Sequence, residues 1–300
     1  MANQPVGRTI KVEMMVDLNS LQKPFRKLRK TLKGFRKNPA PGAVHRLRTQ
    51  TRKAEAAVRA LALDQKRNGL RLLKILKPAR KAAGKVRDID VFVGFASRLP
   101  THSENERLVE LLESLGNLRA QAAKDLYKVL SRQQEEIHSR LSRCSKLIEK
   151  RLRSSTGGRH GSVQMSTNVA ALSLQLESEL DTWPKLSKRN LHPYRLKVKE
   201  LRYTLQLDRE SDSGLIQTLG EVKDQIGRWH DWDALATIAD QILDHGSPCE
   251  ITAQITRQAQ DHLIQALSAA KELGKQYFSS NATQQNGRTH SLIGLKTSPR

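Results

Sequence analysis

The sequence predicts an all-α protein built as a tandem duplication. Three observations carry this. Apolar residues recur at helical spacing through most of the 300 residues, and no stretch keeps the strict alternation of a strand. Leu, Ala, Lys, Arg, Glu and Gln dominate, with modest glycine and proline. A histidine-led basic pattern near residue 45 returns near residue 192, followed both times by Gly-x-x-x-Asp-x-Asp.

In chain order, residues 1–17 read as an extended lead-in and residues 18–153 as a first helical unit. Its first helix is expected from about Leu18 to Phe35, with Lys23, Arg26, Lys27, Lys30 and Lys33 on one face and Phe25, Leu28 and Leu32 opposite. Pro39-Ala40-Pro41-Gly42 is expected to end it. The second helix should run from His45 to about Leu63. At 100° per residue, His45, Arg48, Arg52 and Arg59 fall within about 60° of one another, while Leu47, Thr51, Ala54 and Val58 lie opposite. The third helix, about Lys66 to Gly84, carries Arg71, Lys74, Lys77 and Lys81 on one side, with a kink or short break expected at Pro78. A separate helix should follow Gly84 and stop before Pro100. Residues 103–153 read as strongly helical, with Gly116 a candidate divider.

Residues 154–164, rich in Ser and Gly, read as the linker. The second unit spans 165–278. It opens with a helix from about Thr167 to Thr182. The next helix places His192, Arg195, Lys199 and Arg202 on one face and Tyr194, Val198, Leu201 and Leu205 on the other, with Tyr203 beside the cationic side. Leu215–Lys223 and Ile226–Ala234 answer the Gly84 region, and a helix from about Glu250 to Phe278 closes the unit. Residues 279–300 are polar and read as a disordered tail.

Charge sets the functional question. Lys plus Arg number 53 against 30 acids, a net +23, which calls for an anionic partner. Residues 18–54 contain twelve Lys or Arg and no acid, and residues 65–87 contain nine and no acid. Ordinary wet helical faces mix signs. Scattered bases such as Arg107, Arg119 and Arg132 read as solvated. The histidines lack a second ligand at a recognised spacing, so no metal site is expected. Asp88 with Asp90, and Asp231 with Asp233, point about 200° apart on a helix and cannot chelate together. They read instead as acids near helix N-termini. Trp229 and Trp232 read as core. With aromatics at 4%, base-stacking equipment is sparse. No phosphate-cradling glycine loop supports a phosphate-processing enzyme. No run of apolar residues is long enough to span a membrane. Cys144 and Cys249, far apart, read as reduced thiols of a cytoplasmic protein.

The ordered set His45-x-x-Arg48-x-x-x-Arg52-Lys53, Gly84-x-x-Arg87-Asp88-x-Asp90-Val91, His192-x-x-Arg195-x-x-x-Lys199-x-x-Arg202-Tyr203 and Gly227-x-x-x-Asp231 resembles the CHAD domain, the conserved histidine α-helical domain. The likeness covers about Leu18 to Phe278. It implies two four-helix bundles related by a pseudo-twofold axis, with a basic pore or groove lined by the histidine helices. It also implies binding of inorganic polyphosphate without catalysis, no cofactor, and an association with polyphosphate granules. The expected ligand contacts are Arg26, Lys30, Lys33, His45, Arg48, Arg52, Lys53, Arg71, Lys74, Lys77, Lys81, His192, Arg195, Lys199, Arg202 and Tyr203. Two departures stand out. Pro193 follows the second histidine directly, which requires His192 at the helix start. The second half also lacks a dense basic third helix, offering Gln217, Glu221 and Lys223, so the first half is expected to supply most of the binding charge. The alternative is a sequence-independent nucleic-acid-binding protein.

Overall fold

The computed structural model describes residues 18–100, 105–153, 159–208, 211–243 and 249–278. Among them are eight α-helices and no strand: α1 (Leu18–Lys33), α2 (Pro41–Ala60), α3 (Arg67–Ala96), α4 (Asn105–Arg153), α5 (Arg159–Asp181), α6 (Lys188–Leu205), α7 (Ser213–Ile242) and α8 (Glu250–Leu273). The expected lead-in and tail lie outside the described residues, as do residues 154–158 of the expected linker. Residues 159–164 of that linker are helical and open α5.

The helix edges differ from the sequence reading for local reasons. The Pro39–Gly42 stretch starts a helix as well as separating two, because Pro41 sits in the first turn of α2, where its missing N–H would have had no partner. Pro78 lies inside α3 without a break in the helix. Gly84, Gly116 and Gly227 likewise interrupt nothing: α3 runs 30 residues, α4 49 and α7 30. α6 begins at Lys188, before His192. The backbone N–H of Ser187 donates to Asn190 Oδ1 at 2.8 Å, closing the first turn. Pro193 therefore lies inside the helix and not at its start.

Three apolar cores organise the long helices. The first is filled by α1 to α4, with Phe25, Leu28, Leu47, Val58, Leu72, Leu76, Leu126 and Leu141. The second is filled by α5 to α8, with Leu176, Tyr194, Val198, Leu219, Trp229 and Leu273, and takes in Phe278 from the π-helical turn Gly274–Phe278. The third joins the halves: Phe92 and Ala96 of α3 and Leu111 and Leu115 of α4 meet Trp232, Leu235 and Ala239 of α7 and Ile255 of α8. Trp232 stacks on Phe95 with ring centroids 4.3 Å apart. At 1.5 Å per residue α4 extends about 73 Å, long enough to serve the first and third cores in turn. The hairpins α3–α4 and α7–α8 thus leave their own cores and meet at their far ends. Gly84 to Asp88 on α3 and Gly227 to Asp231 on α7 lie where each hairpin passes from its own core to the shared one. The two tryptophans are core residues, as expected, at 4% and 8% exposure. Both cysteines are free and buried. No described helix is long and apolar enough to cross a membrane.

Candidate functional site

α2 and α6 both bury an apolar stripe in their own core, and the opposite edge of each carries the histidine-led cations. The two helices pack against each other across the halves, so these edges meet. Arg195 and Lys199 of α6 are 8% and 5% exposed. Arg48 and Arg52 of α2 are half-buried, and the Nε of each has no hydrogen-bond partner among the described residues. Lys199 makes no ion pair or hydrogen bond there either. Burying unpaired charge is costly, and five basic groups, Arg48, Arg52, Arg87, Arg195 and Lys199, share this region with the carboxylates of Asp88 and Asp231, while Glu55, which also acts on Arg52, is paired with Arg80.

The electrostatics follow from that crowding. Burial, with Arg195, Arg52, Arg48 and Lys223 close by, pushes the Lys199 ammonium down to about 5. Burial pushes Arg195 down to about 10, against the opposing pull of Asp231. His192 is pushed down to about 4 by burial and by His230, Arg195, Lys199 and Arg52. The His192 and His230 rings lie 4.5 Å apart, and His192 Nδ1 is buried without a partner. His45 is exposed but lowered too, by burial of part of its ring and by Arg87, Arg48 and Lys223.

The Gly-x-x-x-Asp motifs build the floor. Gly84 faces Arg48, with Nε 3.6 Å from where a Cβ would stand. Gly227 faces Arg195, whose guanidinium occupies the space a Cβ would need, while its Nε donates to the Lys223 carbonyl at 3.0 Å. In each half the glycine of the second motif accommodates the arginine of the first, which accounts for their pairing in the sequence. Asp88 and Asp231 stand inside α3 and α7, not near helix N-termini. Arg87 Nη1 bridges to Asp231 Oδ2 across the halves at 2.8 Å and to Asp88 at 3.3 Å. Burial raises the Asp231 carboxyl, but the His230 ring, its Nδ1 3.8 Å from Oδ1, and the charges of Arg87 and Arg195 outweigh it and hold it below its usual range. Asp90 is taken by Arg119, whose Nε donates at 2.8 Å and whose Nη2 donates to the Pro39 carbonyl at 2.7 Å. Arg119 is therefore a tie between α4, α3 and the α1–α2 connection, and not a solvated base.

The predicted site residues divide. His45, Arg48, Arg52, His192, Arg195 and Lys199 come together. Arg202 turns to α7 and donates to the Ile216 carbonyl at 3.2 Å, beside Gly220. Tyr203 lines a cavity of about 380 Å³ between α2 and α6 that Arg52 and Lys199 also line, and it carries the Lys53 ammonium 6.0 Å from its ring centroid. Lys30 and Lys53 line cavities of the α1–α2 hairpin. Arg26 bonds to Asn19, and Lys33 lies near His138. Arg71, Lys74, Lys77 and Lys81 are exposed on a side of α3 turned away from the cluster. Arg80 and Arg87 take the inward positions on that helix, Arg80 bonded to Glu55 at 2.9 Å. Sequence reasoning left Arg87, Lys223, His230 and Asp231 out of the site, although the repeated glycine motif ran through three of them. The cluster draws basic residues from both halves, with Arg195, Lys199 and Lys223 from the second. Among the described residues no group of three or more His, Cys, Asp or Glu is placed to hold a metal.

Comparison with protein families matches residues 19–240 to the CHAD domain. The crystal structure of the CHAD domain from the plant Ricinus communis is similar in fold, with a TM-score of 0.55 over 89% of each chain at 18% identity. No curated protein sequence matches. With histidine helices, glycine motifs and a match over most of its length, this chain belongs to the CHAD domain family.

Proposed function

We propose that this protein binds inorganic polyphosphate and does no chemistry on it. The observation that supports this most is a set of basic groups gathered from two helices of different halves: half-buried Arg48 and Arg52, the Nε of each without a hydrogen-bond partner, and buried Lys199. A polyanion with closely spaced charges neutralises several of them at once. Arginine forks engage phosphate oxygens in pairs, and a lysine acts as a point charge. On this reading the two four-helix units are related by a pseudo-twofold axis, and the binding groove runs between α2 and α6. His45 and His192 donate hydrogen bonds at its edge. Free, buried cysteines agree with a reducing compartment, and cytoplasmic polyphosphate granules are the expected place of action.

Nucleic acid is the competing partner, favoured by the net +23 and by the exposed bases of α3. The half-buried position of the cluster disfavours a duplex, whose phosphates are fixed on a wide cylinder. The test is a titration with long-chain polyphosphate in competition with duplex DNA and single-stranded RNA, at near-physiological and at higher salt. Polyphosphate retained while both nucleic acids are displaced supports the proposal. Equal binding to all three, lost together as salt rises, overturns it. The triple variant H45A/R48A/R52A should cripple polyphosphate binding far beyond the loss from neutralising three scattered bases.

A further inference from the structure

Two cavities lie outside the central cluster, along the cleft of the α1–α2 hairpin. One, of about 410 Å³, is lined by Lys27 and Lys30 of α1 and Arg46 of α2. The other, of about 310 Å³, is lined by Lys23 and Lys27 of α1, Lys53 of α2 and Tyr203 of α6. They adjoin, because Lys27 and Gln50 line both. The second adjoins the cavity between α2 and α6, because Tyr203 lines both of those. A continuous surface path therefore leads from Arg46 and Lys30, past Lys27, Lys23 and Lys53, to Tyr203 and the edge of the central cluster.

Every charged side chain along the hairpin part of this path is a cation. None of Lys23, Lys27, Lys30, Arg46 and Lys53 is in an ion pair among the described residues, and no carboxylate lines either cavity. In the adjoining cavity between α2 and α6, by contrast, three of the lining bases are paired: Arg80 with Glu55, Arg59 with Glu200, and Lys197 with Glu179. The cations come from both walls of the cleft, so a linear anion lying in it meets charge on each side. Lys23 to Lys30 on α1 and Arg46 to Lys53 on α2 each span about 10 Å of helix. The path is thus long and narrow, unlike a pocket for one phosphate group.

We infer that the α1–α2 cleft is an extension lane for a polyphosphate chain that leaves the central cluster past Tyr203, and that it makes binding depend on chain length. The inference rests on the central cluster's being a polyphosphate site. A short chain fills the cluster alone. A long chain fills the cluster and the lane, gaining contacts without a second association event.

The test compares K23Q/K27Q/R46Q with a charge-matched control, K124Q/K128Q/R132Q, whose positions are exposed on α4. Affinities are measured for tripolyphosphate, for long-chain polyphosphate and for duplex DNA. The lane variant should bind tripolyphosphate within twofold of the unmodified protein and long-chain polyphosphate at least tenfold more weakly, with the control losing threefold or less for either. Equal losses for short and long chains, or equal losses in the two variants, would overturn the lane while leaving the central site standing. A larger loss for DNA than for long-chain polyphosphate would also overturn it, reassigning the cleft to nucleic acid. An unmodified protein that binds neither phosphate chain would overturn both readings.

Discussion

The Arg195 guanidinium rests directly on the backbone of Gly227: a Cβ there would press into Nη2, with Cζ 3.0 Å and Nε 3.1 Å away. The counterpart pair is looser, with Arg48 Nε at 3.6 Å from a Cβ on Gly84. Opposite outcomes are expected from the same substitution. Gly84→Ala gains helix propensity, up to about 1 kcal/mol, and meets only ordinary contact. Gly227→Ala gains the same but must displace a buried side chain that bonds to the Lys223 carbonyl and is hemmed in by Arg48 and Arg52. Overpacking of this kind costs about 1–3 kcal/mol. Thermal denaturation should show G84A level with or above the unmodified protein and G227A below it. G227A should also weaken polyphosphate binding severalfold, because Arg195 leaves its place.

Lys199 is expected to make the unliganded protein less stable than it could be. Its folded-state value near 5 lies far below the ordinary lysine value, so between these limits the unfolded chain binds a proton that the folded chain does not. Stability from this group therefore rises with pH from about 5 toward 10, and falls as pH drops through that window. Lys199→Met keeps the volume and removes the titration. Its melting temperature should exceed that of the unmodified protein by several degrees at pH 7, with the gap narrowing by pH 9. Polyphosphate affinity should fall at least tenfold in the same variant. A variant that melts lower at pH 7 would show that the ammonium has a partner in the folded protein.

The faces of α2 and α6 were legible because their apolar and cationic residues both keep a helical period, and the histidine edges do meet. Two features were not. A glycine inside a helical pattern reads as a divider, yet Gly84 and Gly227 sit mid-helix to leave room for an arginine from another helix, a tertiary cause with no local trace. α3 carries cations over a wide arc, and its wheel cannot tell which of them turns inward. The stripe of Arg71, Lys74, Lys77 and Lys81 is the more conspicuous, but Arg80 and Arg87, at the border with the apolar face, are the ones that reach across to acids. The cross-half partner Asp231 was visible only as a repeat of Asp88.

The Arg87–Asp231 bridge should hold the halves together through charge, because Asp231 is 5% exposed and would lose the guanidinium that contacts it directly, keeping only the more distant charge of Arg195 and the His230 ring. Arg87→Met is expected to cost about 3 kcal/mol, in the range for breaking a buried pair. Asp231→Leu alone strands Arg87 and the other cations further. The double variant R87M/D231L should recover much of the loss, and a double-mutant cycle by chemical denaturation gives the coupling. The acid limb checks the sign. Asp231 titrates below its usual range, so its contribution is present above the unfolded carboxyl value and is lost as pH falls through the folded one. R87M should therefore flatten the acid side of the stability profile.

Polyphosphate binding should take up protons. Lys199 at about 5 and His192 at about 4 are neutral in the free protein at pH 7, held so by burial and by surrounding cations. A chain of phosphates brings negative charge among the same groups and reverses the larger part of that repulsion, so their values rise on binding. Where a group's value crosses the ambient pH, binding carries a proton in, and affinity falls as pH rises. Lys199 has the ordinary lysine range above it and is expected to dominate near neutrality; His192 contributes only toward pH 6. Calorimetry in buffers of different ionisation enthalpy at pH 7 should give uptake of a sizeable fraction of a proton per site. Lys199→Met should abolish most of it, while His192→Gln should leave it at pH 7 and reduce it at pH 6. No uptake in the unmodified protein would mean that Lys199 stays neutral beside the ligand, and that Arg48, Arg52 and Arg195 carry the contact alone.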